Sequence, residues 1–526
     1  MLNPPTSSGH RERTSRFVSN VMWGLLGVGV NLFIGLFLSP LIVRGLGIEQ
    51  YGVWVLLFST ADYLRIFDFG FRSAVVNACA RLRTRGDWEG INQTLTTALA
   101  YFFAVGAGCW LLAVLLRDPV VSAFNIAEPL RPTAGVLVAI IAGTISLRLM
   151  LAPVTAALEA FERFDLINRA YIAALVLRAV GSVTILLLGY GLIELAWVVL
   201  LVQVVETCWN VVSLRRIAPA LHPRVERVRM DSLKGMFRYG RYSALMAAAD
   251  LMSIHGAITV LGAIRGPAEV AIFALPFRLL FYIAEVMSKV SGVTASATAA
   301  LDEAGDRARV WRLAVETNRH CFAFFMPVGI FMLLYGTPLL RVLISDEVAN
   351  QSGGLIPVFL LMFVFAVAGQ YNSGGVLIGQ GKHSSYAYLI LTEVALTTVG
   401  LLIFAPAHGA IAAAWVVSTS FLVTRGFALG FVLCHRNGFP FGQYLSAIYA
   451  RGLAAAAIVL PFGFVLRNSL WPGADWIELL LAAFSIGVVY YGVAYFVVLD
   501  RDERASMLHH LLSPIHRLVP SAPAES

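Results

Sequence analysis

Charge is scarce in this chain: Asp, Glu, Lys and Arg make up 13% of 526 residues, about half the share of an ordinary soluble domain. A water-soluble enzyme could not cover its surface with so few ionised groups, so that class is excluded. Cysteine is rarer still, at five residues. Cys79, Cys109, Cys208, Cys321 and Cys434 fall in or beside five separate apolar segments, odd in number and without metal-ligand spacing. A disulfide framework and a zinc site are therefore excluded, and the thiols read as small buried hydrophobes. GxxxxGK[ST], HExxH and GxSxG do not occur, so no ATPase, zincin or serine-hydrolase site is expected. His509-His510 lacks companion ligands and reads as solvated. The sequence implies no catalytic residue, metal or cofactor.

What fills the chain instead is apolar mass, with 58% of residues hydrophobic and a mean hydropathy of +0.77. A bilayer-spanning helix needs about 20 such residues in a row. Runs of that kind lie near 17–43, 51–71, 93–116, 133–157, 170–189, 191–212, 240–263, 268–292, 314–335, 353–379, 385–405, 409–434, 448–466 and 476–499. The fold class is all-α integral membrane, with about fourteen transmembrane helices. The runs are too long for barrel strands. Their Gly, Ala, Ser and Thr content suits close helix packing. Residues 1–16 are polar and basic (Arg11, Arg13, Arg16), and the run after them exceeds a signal-peptide core, which predicts an uncleaved anchor.

Most of the 39 Lys and Arg lie in the N-terminal tail, the even-numbered connections and the C-terminal tail, which places both termini in the cytoplasm. The net charge of +8 is this topology signal, and nucleic-acid binding is not expected. Sliding the chain by 219 residues sets Gly47 on Gly266, Trp54 on Phe273 and Gly86-Asp87 on Gly305-Asp306. Spans 1–6 thus match spans 7–12 as two parallel six-helix repeats, and spans 13 and 14 are two extra C-terminal helices. The expected division is a cytoplasmic tail (1–16), an N-lobe (17–214), a basic linker (215–241), a C-lobe (242–434), spans 13–14 (435–499) and a second cytoplasmic tail (500–526). The linker holds Arg215, Arg216, Arg224, Arg227, Arg229, Lys234, Arg238 and Arg241 against Glu226 and Asp231, a composition that anionic lipid headgroups would hold at the membrane surface.

Ionisable residues inside spans are costly and mark functional sites. Span 2 carries Asp62, Arg65, Asp68 and Arg72 on one helical stripe, and its repeat partner, span 8, carries Arg278, Glu285 and Lys289. The pairs Asp62–Arg65, Asp68–Arg72 and Glu285–Lys289 could instead neutralise one another for packing. Arg278 has Tyr282 one turn on and no acid three or four residues away, which points to an anionic ligand. Arg148 and Arg178 extend the lining or pair between helices. Asp250 and His255 in span 7 are candidates for a proton or cation site. Glu206 with Gln203 and Asn210 forms a polar stripe on span 6, Glu393 is the single acid of span 11, and Gln370, Asn372 and Ser373 near Gly374-Gly375 mark a break in span 10. Arg319 and Arg425 read as interhelical or interfacial partners.

GLGIEQYGVW (45–54), the DFG at 68–70, LEAFERF (158–164) and its second-half echo GQGK (379–382) resemble the bacterial polysaccharide biosynthesis flippases. That family groups with MATE drug exporters and the lipid II flippase in the multidrug/oligosaccharidyl-lipid/polysaccharide exporter superfamily. The resemblance implies a V-shaped two-lobed bundle, a central cationic cavity, alternating access and the bacterial inner membrane. It also implies an undecaprenyl-diphosphate-linked oligosaccharide as substrate, with membrane lipids and a polysaccharide polymerase or ligase as partners. On this reading Arg65, Arg72, Arg278 and Lys289, extended by Arg148 and Arg178, hold the diphosphate. Asp62, Asp68, Asp250 or Glu285 carries a coupling ion. The alternatives are a MATE-like cation–drug antiporter, which wants an acid-dominated cavity, and a membrane glycosyltransferase or polymerase, which wants larger extramembrane loops.

Overall fold

A computed structural model describes residues 7–68 and 70–505. The N-terminal Met1–Thr6, Phe69 of the DFG motif and the tail from Ser506 on, with His509-His510, lie outside the described residues, as do the side chains of Arg11, Arg13, Arg16, Arg238 and Arg241. Among the described residues there is no strand. The order is α1 (Ser7–Leu46), α2 (Ile48–Ala61), a 3-10 segment (Asp62–Asp68), α3 (Phe71–Thr84), α4 (Trp88–Leu115), α5 (Arg117–Ala123), α6 (Arg131–Met150), α7 (Ala152–Ala160), α8 (Phe164–Leu187), α9 (Leu192–Ile217) and α10 (Met230–Arg265). Then come α11 (Pro267–Glu303), α12 (Arg307–Leu343), α13 (Asp346–Ser352), α14 (Ile356–Leu360), a π segment (Leu361–Ala368), α15 (Gly369–Gly379) and α16 (His383–Phe421). A second π segment (Leu422–Ala428), α17 (Leu429–Asn437), α18 (Phe441–Val465), a third π segment (Leu466–Leu470) and α19 (Trp476–Val497) complete it.

By length and composition, eleven helices among the described residues can cross a membrane, or twelve if the bent pair Ala247–Ser253 and His255–Arg265 is one span. The sequence expects fourteen, and the other differences lie in two places. The expected second span is interrupted where α2 passes into the 3-10 segment. The stretch Ser384–Asn437 counts as one 54-residue span but is kinked at Gly409, whose φ of 55° and ψ of −133° are not helical. A side chain there would meet the Glu269 carboxylate, which accepts a 2.7 Å bond from the Ala410 amide.

The sequence repeat reappears in backbone conformation. Left-handed φ values occur at Gly47, Gly86 and Glu162 in the first half and at Gly266, Gly305 and Gly381 in the second, each pair 219 positions apart. After Gly86 and Gly305, Asp87 and Asp306 cap the next helix, accepting bonds of 2.8 Å from the Gly90 amide and 3.0 Å from the Arg309 amide. These side-chain caps satisfy amides that a helix start would otherwise leave open. The family-like motifs act as clasps beside these turns. Arg83 donates to the Ala160 carbonyl at 2.8 Å, and Gln380 donates to Asp302 at 3.0 Å and to Asn437 at 2.8 Å. Burial pushes the Lys382 ammonium below the usual lysine range.

The chain divides into two compact units. The first runs to Tyr282 and takes in Leu343–Leu355 and Ala387–Ser420. Its core joins Phe71, Val75, Ile91, Leu95, Phe102, Leu149, Leu158 and Leu214 from α3, α4, α6, α7 and α9. The second comprises Ile283–Val342, Ile356–Tyr386 and the chain from Phe421 on, with Phe322, Tyr335, Phe359, Phe363, Tyr444 and Tyr490 fully buried. In this unit Gln370, Asn372 and Ser373 sit in continuous helix, so the expected break at Gly374-Gly375 is displaced to the π segment before Gly369. Ser373 donates to Gln370 at 2.9 Å, and Asn318 donates to Ser373 at 3.0 Å and to Tyr444 at 2.9 Å. Arg319 is paired with Asp500 at 3.5 Å and with Glu503, which fastens the chain after α19 onto α12. Four of the cysteines are buried as expected, whereas Cys208 is exposed on α9.

Candidate functional site

The first unit holds a cavity of about 580 Å³, and three local features of the chain open it. The 3-10 segment is the first. At three residues per turn, side chains three apart eclipse, so Asp62, Arg65 and Asp68 form a single row where an α-helix would fan them out. The row ends at Gly70, whose φ of 67° turns the chain into α3. The second feature is the gap between α6 and α7 at Leu151, one residue after Met150. Pro153 lacks an amide proton and crowds the preceding turn, which interrupts the helix here. The third is α9, whose Gln203, Glu206, Thr207 and Asn210 share one face at helical spacing and all line the cavity. Asn168 and Tyr171 of α8 and Asp250 and His255 of α10 close the remaining sides.

The guanidinium groups are not equivalent. Arg72 is paired with Glu159 of α7, which lies in the LEAFERF motif, while its backbone amide donates to Asp68 at 3.1 Å. The expected Asp68–Arg72 side-chain pair is thus replaced by a cap and a cross-helix ion pair. Arg65 approaches only the far edge of ion pairing with Asp62, at 3.9 Å, and half its side chain is exposed. Asp62 also meets His255 Nε2 at 3.4 Å. Arg148 lines the cavity and makes no hydrogen bond or ion pair among the described residues. Its charge acts on Arg65, Arg178 and Glu206. Arg178 stands behind the lining with its buried Nε lacking a partner. Arg278 lies over the Tyr282 ring at 5.9 Å, and its charge reaches Arg178 and His255.

The structure therefore brings Arg65, Arg72, Arg148, Asp68 and Asp250 together as lining residues, with Asp62, Arg178 and Arg278 within electrostatic reach of that set. Glu285 and Lys289 belong to the second unit and are not among the lining residues. Sequence reasoning missed Glu159 as the partner of Arg72, although the motif containing it was visible. It also missed Asn168 and Tyr171, for which the sequence carries no distinguishing signal. Glu393 is not isolated, since Ser253 of α10 donates to it. The acids and bases in and around the cavity are mixed. Asp62, Asp68 and Glu159 are engaged, Glu206 makes no hydrogen bond or ion pair among the described residues, and Arg148 keeps its full donor fork open. A guanidinium in that state can take a bidentate oxyanion such as a phosphate.

The sequence profile of a family described as polysaccharide biosynthesis protein matches residues 41–350. The "Putative O-antigen transporter" of Shigella flexneri is 26% identical over 152 residues, a stretch that is 29% of this chain and 36% of that protein's length. Among solved structures, the lipid II flippase MurJ in its inward closed conformation superposes with a TM-score of 0.68 at 12% identity, covering 90% of this chain and 99% of that one. An inward-facing MATE family multidrug resistance transporter of the MOP superfamily gives 0.65 at 15% identity, covering 80% and 98%. The fold is that of this transporter superfamily.

Proposed function

The chain belongs to the polysaccharide biosynthesis protein family, and from that premise we propose that it is a flippase for lipid-linked oligosaccharide. It carries an undecaprenyl-diphosphate-linked glycan from the cytoplasmic to the periplasmic leaflet of a bacterial inner membrane, by alternating access of the halves 17–214 and 242–434 about the linker 215–241. The product serves O-antigen, capsule or exopolysaccharide assembly, and a polymerase or ligase receives it. Moving one sugar hydroxyl unpartnered into hydrocarbon costs about 4–8 kcal/mol, so a glycan headgroup crosses only inside a wet, polar chamber. A volume of about 580 Å³ falls within the common range of small-ligand sites, about 300–1,000 Å³. That suits a diphosphate and its first sugar while the prenyl chain stays in lipid.

The observation that carries the reading is Arg148, an intramembrane guanidinium beside Arg65 with no partner of its own among the described residues. The lining residues of α8 and α9 sit toward the helix ends that carry Arg163, Arg169, Arg215 and Arg216. The positive-inside bias puts those ends, and both termini, in the cytoplasm, which is where the glycan lipid is made available. Arg65 and Arg148 hold the diphosphate, and Arg72, Arg178 and Arg278 support them. Asp62, Asp68, Asp250 and Glu285 are the acids that could carry a coupling ion, worth about 2.3 kcal/mol per charge per 100 mV. A cation–drug antiporter would need a cavity dominated by acids, and here Arg65, Arg72 and Arg148 line it beside Asp68, Glu206 and Asp250, with Asp68 spent on capping α3.

The test is glycan delivery in cells. Arg148→Ala is expected to abolish periplasmic glycan at unchanged protein abundance, and Arg148→Lys to restore it only in part because a single ammonium cannot fork. Wild-type delivery by Arg148→Ala would remove the diphosphate assignment.

A further inference from the structure

The GQGK motif of the second unit takes no part in the cavity, yet its lysine gathers positive charge without an acid to answer it. Lys382 lies just before α16 and donates to the side-chain oxygens of Gln380 at 3.0 Å and Asn437 at 3.3 Å, both uncharged acceptors. Its ammonium is held below the usual lysine range by burial, and by the charges of Arg436 and Arg307 against that of Asp302. Arg307 opens α12 and Arg436 lies in the last turn of α17. Both are exposed and make no hydrogen bond or ion pair among the described residues. The acids of the neighbouring turn are not paired with any of the three. Asp302 accepts from Gln380, Asp306 pairs with Arg309 at 3.2 Å, and Glu303 has no ion pair among the described residues.

The first half shows what is missing. The shift of 219 residues sets Arg163 on Lys382 and Asp165 on Ser384. Arg163 donates to both Asp165 oxygens, at 2.9 and 3.1 Å, and is neutralised within its own turn. In the second half a serine replaces that acid, and Arg307 stands where the first half has Trp88, so charge accumulates. The three cations lie at the limits of spans, which end at Gly379 and Asn437 and begin at Arg307 and Ser384. Trp311, one turn into α12, packs on Phe439 at 4.7 Å and beside Tyr444 at 5.6 Å. Trp and Tyr gather at the headgroup level of a bilayer. We propose that Lys382, Arg307 and Arg436 form a site for the phosphate diester of an anionic phospholipid. The lipid supplies the counter-charge that the first half draws from Asp165, and it ties the turns before α12 and α16 to the end of α17. Basic residues at a membrane surface hold anionic headgroups in this way. The proposal holds whatever cargo the carrier moves.

The experiment places the full-length protein in bilayers of phosphatidylcholine mixed with acyl-brominated phosphatidylglycerol, with acyl-brominated phosphatidylcholine as the matching series. The signal is bromine quenching of Trp311, read as the difference between each protein and the same protein carrying Trp311→Phe. Wild type is expected to favour phosphatidylglycerol at Trp311 by at least about fivefold, roughly the worth of one cation at the membrane surface. Ser384→Asp restores the pairing of the first half, with an acid well placed at a helix start, and brings the preference near one. Arg436→Gln, at an exposed position, lowers it about fivefold and serves alone if Ser384→Asp fails to fold. Should Trp311→Phe fail to fold, the thermal stabilisation by phosphatidylglycerol over phosphatidylcholine, compared between wild type and the same variants, gives the same reading. Equal quenching by the two lipids in wild type, a preference that survives both variants, or an equal loss caused by Arg215→Gln in the linker overturns the site. Removal of the preference by millimolar inorganic phosphate overturns the lipid as its occupant and marks a site for a soluble anion.

Discussion

Two arginines line the same cavity and should respond oppositely to truncation. Arg72 is paired with Glu159, whose side chain is only 19% exposed, while Arg72 itself is 42% exposed. Removing the guanidinium leaves a mostly buried carboxylate without its counter-charge. For a fully buried pair that costs about 3–5 kcal/mol. Because one partner is well exposed, about 1–3 kcal/mol is the expected loss here, screened by water reaching the arginine end. Arg148 has no such partner, so Arg148→Ala should cost little stability. The assay is a thermal unfolding series on detergent-solubilised protein for Arg72→Ala, Glu159→Gln and the double variant, with Arg148→Ala alongside. Glu159→Gln in the Arg72→Ala background should recover most of the loss, because the stranded charge is gone, and the cycle gives the coupling directly. If Arg72→Ala is as stable as wild type, or if the second change recovers nothing, the inference that Arg72 is held by Glu159 rather than offered to a ligand is refuted.

Glu162 sits at a φ of 60°, the position that glycine occupies in the second half, and its contact with Arg83 is exposed. Glu162→Gly should therefore raise thermal stability by about 1 kcal/mol, and a lower melting temperature would count against strain there. Gly52→Ala would drive a methyl group into the backbone carbonyl of Pro267, where nothing flexible can yield. Folded, monodisperse protein should be largely lost in size-exclusion profiles, and a normal yield would show that α2 and the start of α11 do not pack this closely. Asp500 lies outside the spans, and the 2.7 Å bond from Arg451 holds its carboxyl below the usual carboxylate range. Its stabilisation is thus complete above the unfolded value of about 3.9 and lost as pH falls through the lower folded value. Asp500→Asn should cost at most about 1 kcal/mol at pH 7 for so exposed a group, with the deficit shrinking only below about pH 4.

Much of this architecture was legible because the bilayer imposes a crude, readable rule: twenty apolar residues, then a break. The repeat was legible for a similar reason, since turns that demand a left-handed residue recur at Gly86 and Gly305 in letters as well as in angles. Glu162 shows the limit. Its backbone matches Gly381, but nothing in a glutamate announces a positive φ. The 3-10 segment was hidden because a spacing of three is compatible with an α-helix, and only Gly70 hinted that the stripe ended there. Arg72 reads from sequence as a diphosphate ligand, or on the packing alternative as the neighbour of Asp68, while its partner in the structure is 87 positions away, a distance that periodicity cannot see. Arg278 draws attention through the absence of an acid three or four residues away, a one-dimensional criterion. Arg148 stands out only once neighbouring helices are in place.

The seven residues from Asp62 to Asp68 are wound more tightly than the helices on either side, and that winding is a stored screw. Three residues per turn at about 2.0 Å rise becomes 3.6 per turn at about 1.5 Å in an α-helix. If the stretch relaxed, it would shorten by about 3.5 Å and turn its far end by about 140°. Arg65 would leave the row it shares with Asp62 and Asp68, and Arg72 would be pulled against its tether on Glu159. A single change of pitch in one short stretch would therefore both unload the chamber and tug on a neighbouring helix, with no large hinge required.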